Sequence, residues 1–199
     1  MPALQLSTSN SDIKQAANLL KQGEIIVFPT DTVYGIGVNA FDANAIENLY
    51  DAKMRPREKG IPILISDIDC LPNVIVGTLD PRIQILLDQH WPGPLTLILP
   101  RHPNLPANIS PNDGIAVRIP NNDVARALIR QAGGALATSS ANISSNEPAT
   151  NAQMAFDALN ERVAAVIDGG SAPHSQPSTI IDCRFDPPRL VRPGPIAWD

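Results

Sequence analysis

Three stretches of the sequence gather side chains able to do chemistry. Lys53-Met54-Arg55-Pro56-Arg57-Glu58-Lys59 places four cations in seven positions, a density suited to holding phosphate or carboxylate. Pro29-Thr30-Asp31-Thr32-Val33-Tyr34-Gly35 sets hydroxyls and one carboxylate directly behind an apolar run, where open α/β sheets present their ligand sites. Thr138-Ser139-Ser140-Ala141-Asn142 repeats that arrangement after a short strand pattern that follows Gly133-Gly134. Taken singly, each has an ordinary alternative: a solvated basic loop, an Asx or threonine turn, a small polar loop. Together they allow two polar strand ends and one cationic loop to face a single cleft. Two unit charges 4 Å apart interact by about 4 kcal/mol at an effective dielectric of ~20, while exposed charges beyond ~8 Å are screened. A local basic cluster therefore prevails over a net charge of −5.

Other machineries are missing from the sequence. It has no Gly-Lys dipeptide and hence no P-loop, and Gly35-x-Gly37 lacks the third glycine of a dinucleotide fingerprint. His90, His102, His174, Cys70 and Cys183 show no metal-ligand spacing, and no G-x-S-x-G elbow supplies a serine nucleophile. His90, beside Trp91, reads as a helix-end packing residue. A metal would arrive with a phosphate ligand.

The elements that position these residues alternate along the chain. Ser11 is a candidate cap for a helix with Ile13, Ala16, Ala17 and Leu20 on one face, ended by Gly23 before the strand run 24–28. Asp42 caps a helix whose apolar stripe Ile46, Leu49, Tyr50 continues onto Lys53, so a lysine leaves that helix on its inward face. Strand patterns follow at 61–65, 95–99, 115–119, 135–138, 163–167, 179–181 and 190–191. Asp80-Pro81, Asn121 or Asn122, and Thr150 mark further helix starts. This pattern predicts a single α/β domain over 1–199, with a mixed sheet flanked by helices.

Composition fits a folded, soluble protein: 43% hydrophobic residues and 20 acidic against 15 basic side chains. The acidic balance argues against a generally basic nucleic-acid-binding surface. No apolar run approaches the roughly 18 residues of a membrane span, and two cysteines without a secretory leader predict a cytoplasmic setting.

The strings FPTDTVYGIG, KMRP, WPGPLT, VRIP, TSSAN, STIID and VRPG occur here in order between about Ser11 and Gly194. In that order and spacing the chain resembles the YrdC-like family, the threonylcarbamoyl-AMP synthases of tRNA modification. Because it ends soon after VRPG, it is similar to the short, single-domain form. The resemblance implies a YrdC-like three-layer fold with an open cationic cavity. It also implies that L-threonine, bicarbonate and ATP, with Mg²⁺, become threonylcarbamoyl-AMP, pyrophosphate and water. The product would serve N6-threonylcarbamoyladenosine formation at tRNA position 37 through downstream threonylcarbamoyl-transferase proteins, with tRNA contact a further possibility and no membrane involved.

By matching position, the resemblance gives Lys53 and Arg55 catalytic roles, Lys53 toward bicarbonate or phosphate. Arg55, Lys59, Asn142, Thr150 and Arg192 would hold ATP, while Thr32, Arg118, Ser140 and Ser178 would surround threonine. Two departures stand out. Gly60-Ile61-Pro62 replaces a proline that many relatives have directly after the position of Lys59, and apolar Leu64 lies where some carry histidine. An RNA-binding or ribosome-assembly module, and a divergent paralogue without synthase activity, are the alternatives. Intact K-x-R and S-x-N matches at Lys53/Arg55 and Ser140/Asn142 favour the synthase.

Overall fold

Ten strands form one mixed sheet in the computed structural model, which describes residues 2–173 and 176–198. His174 lies outside the described residues. In chain order the strands are β1 Leu4–Leu6, β2 Ile26–Phe28, β3 Gly35–Asn39, β4 Ile63–Ile65 and β5 Leu95–Pro100, then β6 Gly114–Arg118, β7 Ala135–Ser140, β8 Ala165–Ile167, β9 Thr179–Asp182 and β10 Arg189–Arg192. The helices are α1 Asn10–Lys21, α2 Ala43–Lys53, α3 Pro81–His90, α4 Asp123–Ala132 and α5 Ala152–Leu159. Spatial order is β1-β8-β2-β3-β7-β4-β6-β5-β9-β10, with parallel and antiparallel neighbours intermixed. The expected mixed α/β architecture is therefore present.

Period-two alternation decides what each strand residue meets. Ile26 and Phe28 pack with α1 and α4, through Ile13, Ala17, Leu20, Ala125, Leu128 and Ile129. Val27 points the other way, into a cluster shared with Ile46, Leu49 and Tyr50 of α2 and Leu159 of α5. The same split separates Leu64 and Leu136 from Ile63, Ile65 and Ala137. A central strand buried on both faces is apolar at every position, as β2 is. Helices α1 and α4 pack against β1, β2, β3, β4, β7 and β8. Beyond β4 the same sheet face carries the cavity described below.

Helix starts follow capping chemistry. Asp42 Oδ1 accepts from the backbone N–H of Asn44 and Ala45 at 2.9 and 3.1 Å, and Asn122 Oδ1 from Ala125 at 2.9 Å. Two expected caps move: Ser9, not Ser11, accepts from Asp12 N at 3.2 Å, and Asn151, not Thr150, accepts from Met154 N at 2.9 Å. In both cases the neighbouring polar residue has the extended backbone that a cap needs.

Strands β1 and β3 are additions to the expected set. β3 begins at Gly35, which the sequence pattern suggests is the end of a turn. Here Gly35 and Gly37 serve close packing instead. A Cβ at Gly37 would lie 2.9 Å from Thr138 Oγ1, 3.1 Å from the Ala137 carbonyl oxygen and 3.2 Å from the Phe28 ring. Overpacking of this kind costs about 1–3 kcal/mol. Gly37→Ala is expected to lower the unfolding free energy by that amount, seen as a lower urea unfolding midpoint, and an unchanged midpoint would refute the tight β3–β7 contact.

Candidate functional site

A cavity of about 320 Å³ opens on the sheet face past β4. Its floor is set by register: Leu64 lies opposite Arg118, Ala116 opposite Ile98, and Thr96 opposite Ile180, so these side chains share one face. The walls are Thr30 and Thr32–Gly35 behind β2, Arg55 and Gly60 in the loop after α2, Ser139 and Ser140 ending β7, Ser178 before β9, and Arg192 ending β10. A larger hollow of about 470 Å³ is lined mainly by Ile68, Leu71, Ile75, Val76 and Leu79, with Gln84 and His102 as its polar side chains and no arginine or lysine in its wall.

Six of the residues singled out in the sequence meet in the cavity: Thr32, Arg55, Arg118, Ser140, Ser178 and Arg192. Lys53, Lys59, Asn142 and Thr150 are not in its wall. Of the four clustered cations, only Arg55 enters. Its Nε donates to the Lys59 carbonyl at 2.9 Å and its Nη2 to the Gly60 carbonyl at 2.7 Å, which aims the guanidinium with backbone acceptors and leaves its charge unpaired. Arg57 is spent on Glu47 and Asp51, each at 2.8 Å, and lies over the Tyr50 ring. Lys59 is exposed and contributes its carbonyl.

Lys53 leaves α2 inward, as its place on the apolar stripe requires, and is only 1% exposed. Its Nζ donates to the carbonyls of Ser140 and Asn142, both at 2.6 Å, while its own carbonyl accepts from Ser144 N at 2.8 Å. Lys53 thus stands behind the wall and fastens the loop after β7. Asn142 does related work: its Oδ1 accepts from Ser140 Oγ, and its Nδ2 donates to the carbonyls of Ile143 and Asn146 at 2.8 Å each. Thr150 is half-buried, and its carbonyl accepts from Ala172 N at 2.7 Å.

On the floor, Arg118 donates to Asp31 Oδ1, to Thr32 Oγ1 at 2.9 Å and to the Gly93 carbonyl at 2.8 Å. Arg192 donates to the Ser178 carbonyl through Nε and Nη2 at 3.0 and 2.8 Å, and Ser178 Oγ lies 2.7 Å from Thr96 Oγ1. Asp31 and Thr96 were not among the expected site residues. Asp31 stood inside the threonine-rich motif, and Thr96 in the string WPGPLT, so only their pairing was hidden.

The cavity wall holds three arginines and, among the described residues, no carboxylate. Burial pushes the pKa of Arg55, Arg118 and Arg192 down, with Arg118 adding to the effect on Arg192 and Asp31 opposing it for Arg118. The charge of Arg118 disfavours that of Arg192, a repulsion that an incoming anion relieves. No group of three or more His, Cys, Asp or Glu able to hold a metal ion occurs among the described residues.

The Sua5/YciO/YrdC family model, described as "Telomere recombination", matches residues 18–194. This chain belongs to that family. It is 39% identical over 194 residues to the threonylcarbamoyl-AMP synthase of Bacillus subtilis, covering 96% of this chain and 56% of that one. The solved structure of Pyrococcus abyssi Sua5 complexed with L-threonine superposes with a TM-score of 0.92 at 34% identity, covering 98% of this chain and 58% of that one. Escherichia coli YciO gives 0.86 at 26% identity over 98% and 96% of the two chains. The chain thus spans about half the length of its Bacillus relative, and in it Lys53-x-Arg55 and Ser140-x-Asn142 are joined through the Lys53 side chain.

Burial, followed by neighbouring Arg55, pushes the Lys53 pKa down to about 7 from an ordinary 10.5. Its two carbonyl acceptors match the two N–H groups of a neutral amine, so deprotonation leaves the loop fastened. Between these pKa values the unfolded chain binds more protons than the folded one, so this group's contribution to stability rises with pH. Wild type is expected to gain on Lys53→Met between about pH 7 and 10, by at most about 1.4 kcal/mol per pH unit, with no gain below about pH 6. Denaturant titrations at several pH values measure this, and a flat or falling difference would contradict it.

Proposed function

We propose that this protein is an L-threonylcarbamoyladenylate synthase, converting L-threonine, bicarbonate and ATP to threonylcarbamoyl-AMP, pyrophosphate and water. One observation carries the reading: Arg55, Arg118 and Arg192 converge with Thr32, Ser140 and Ser178 on one cavity without a lining carboxylate among the described residues. Sequence similarity to a threonylcarbamoyl-AMP synthase, and structural similarity to a Sua5 complexed with L-threonine, support it.

The chemistry needs a threonine amine in its nucleophilic, neutral form. A lining carboxylate would hold that amine as an ammonium, whereas nearby guanidinium groups favour loss of its proton. The amine takes up bicarbonate, releasing water and forming an N-carboxylate. An oxygen of that group attacks the α-phosphorus, and pyrophosphate leaves. Every reacting group except the amine is an anion, so alignment and charge neutralisation do the work and no protein nucleophile is required.

Arg118, Thr32, Ser140 and Ser178 surround threonine in this scheme, while Arg55 and Arg192 take the phosphates. A hollow of about 320 Å³ is at the low end for a ligand pocket. It suits threonine and the reacting phosphates, with the nucleoside extending outward toward Lys59 and Thr150. Lys53 and Asn142 act through the Ser140 loop that they hold. The cavity's hydroxyls and guanidinium groups suit an anion and not a bare divalent cation, so Mg²⁺ enters bound to the triphosphate.

We place the product in tRNA N6-threonylcarbamoyladenosine formation, passed to downstream threonylcarbamoyl-transferase proteins in the cytoplasm. Among the described residues no helix is long and apolar enough to cross a membrane. Pyrophosphate release from ATP is expected to require both L-threonine and bicarbonate, and to fall about 100-fold or more in Arg55→Ala and Arg192→Ala. Release indifferent to threonine would reject the assignment, as would full activity in both variants.

A further inference from the structure

Arg118 is the arginine of the cavity whose charge is answered by a carboxylate. Its side chain is 7% exposed and that of Asp31 4%. Of its five N–H groups, one on Nε goes to the Gly93 carbonyl, one on Nη1 to Thr32 Oγ1 and one on Nη2 to Asp31 Oδ1. Among the described residues that leaves one N–H on each terminal nitrogen, on a side chain that lines the cavity. Two such N–H groups can donate to the two oxygens of one carboxylate. Asp31 itself is not part of the lining. Its Oδ1 also accepts from Asn121 N at 3.1 Å, which ties the carboxylate to the N-terminal approach of α4.

We infer that Asp31 is a positioning residue: from behind the wall it fixes the plane of the Arg118 guanidinium so that the remaining fork faces the carboxylate of the amino acid substrate. This rests on the proposed function, in which Arg118 receives that carboxylate. Stability alone does not explain the pair. Burying both charges carries a desolvation cost, and apolar replacements of such pairs are often neutral or stabilising. Asp31 Oδ2, moreover, has no hydrogen-bond partner among the described residues, an expense an economical core would avoid. In return, the arginine has surrendered its rotamer freedom before the ligand arrives. The same carboxylate lets a third guanidinium stand beside Arg192 with no ligand present.

The sign of the effect separates aim from charge. Asp31→Asn removes a negative charge next to the cavity. If Asp31 served only to neutralise Arg118, both L-threonine and pyrophosphate would bind more tightly to the variant. If it positions Arg118, calorimetric binding of L-threonine weakens about 10- to 100-fold while pyrophosphate binds as well as to wild type or better. In turnover, KM for threonine then rises by a larger factor than kcat changes. Asp31→Ser, smaller and uncharged, takes its place if the first variant does not unfold cooperatively. Tighter or unchanged threonine binding would overturn the inference, as would equal loss of both ligands. Arg118→Gln in the same assay keeps the two readings apart. If it binds threonine like wild type, the assignment of Arg118 to the substrate carboxylate fails. If it loses threonine while Asp31→Asn does not, only the role of Asp31 fails.

Discussion

The amino group of Lys53, set between the carbonyls of Ser140 and Asn142 at 2.6 Å each, joins parts of the chain separated by 87 and 89 residues. It does so with its side chain only 1% exposed and its contact to the Asn142 carbonyl buried. Losing a partner there exposes the full desolvation cost of each oxygen, about 1–3 kcal/mol. The contact also fixes geometry: α2 ends at Lys53, the Arg55 loop begins two residues later, and Ser140 is the last residue of β7. Arg55 and Ser140 therefore reach the cavity in a fixed relation. That relation is what a reaction between bound anions requires.

Electrostatics inside the cavity runs against the protein as a whole, which carries 20 acidic and 15 basic residues. The arginines are aimed by carbonyls and hydroxyls, and Arg118 by the carboxylate of Asp31 as well. Oxygen dipoles orient a guanidinium without neutralising it, so Arg55 and Arg192 keep their charge available for a ligand. Surface cations near the motif behave differently: Arg57 is matched by Glu47 and Asp51 and adds little to the cavity. A buried site that stores cationic repulsion in its empty state gains on binding an anion, and this preference is built into the fold itself.

Much of the scaffold was legible in the sequence because it follows local rules. Asp42, Asp80 and Asn122 cap helices where expected, and the runs at β2, β4, β5, β6 and β9 are largely aliphatic. The inward turn of Lys53 followed from helical periodicity alone. Features set by contacts between distant segments were not legible. Gly35 and Gly37 resemble turn residues until Phe28 and Thr138 occupy the space above them. Charge density in the Lys53–Lys59 run did not reveal that one cation is a buried strut, one enters the cavity, one is paired and one is exposed. Likewise Asp31 became significant only once β6 brought Arg118 beside it.

The central claim is that one cavity, floored by the face of β4, β6, β5 and β9, receives an amino acid and polyphosphate side by side. A crystal structure of the protein with L-threonine and a non-hydrolysable ATP analogue tests it most directly. The account predicts both ligands in the same hollow, the threonine carboxylate on Arg118 and the phosphates between Arg55 and Arg192. Density for either ligand elsewhere, with these three arginines left without an anion, would contradict it.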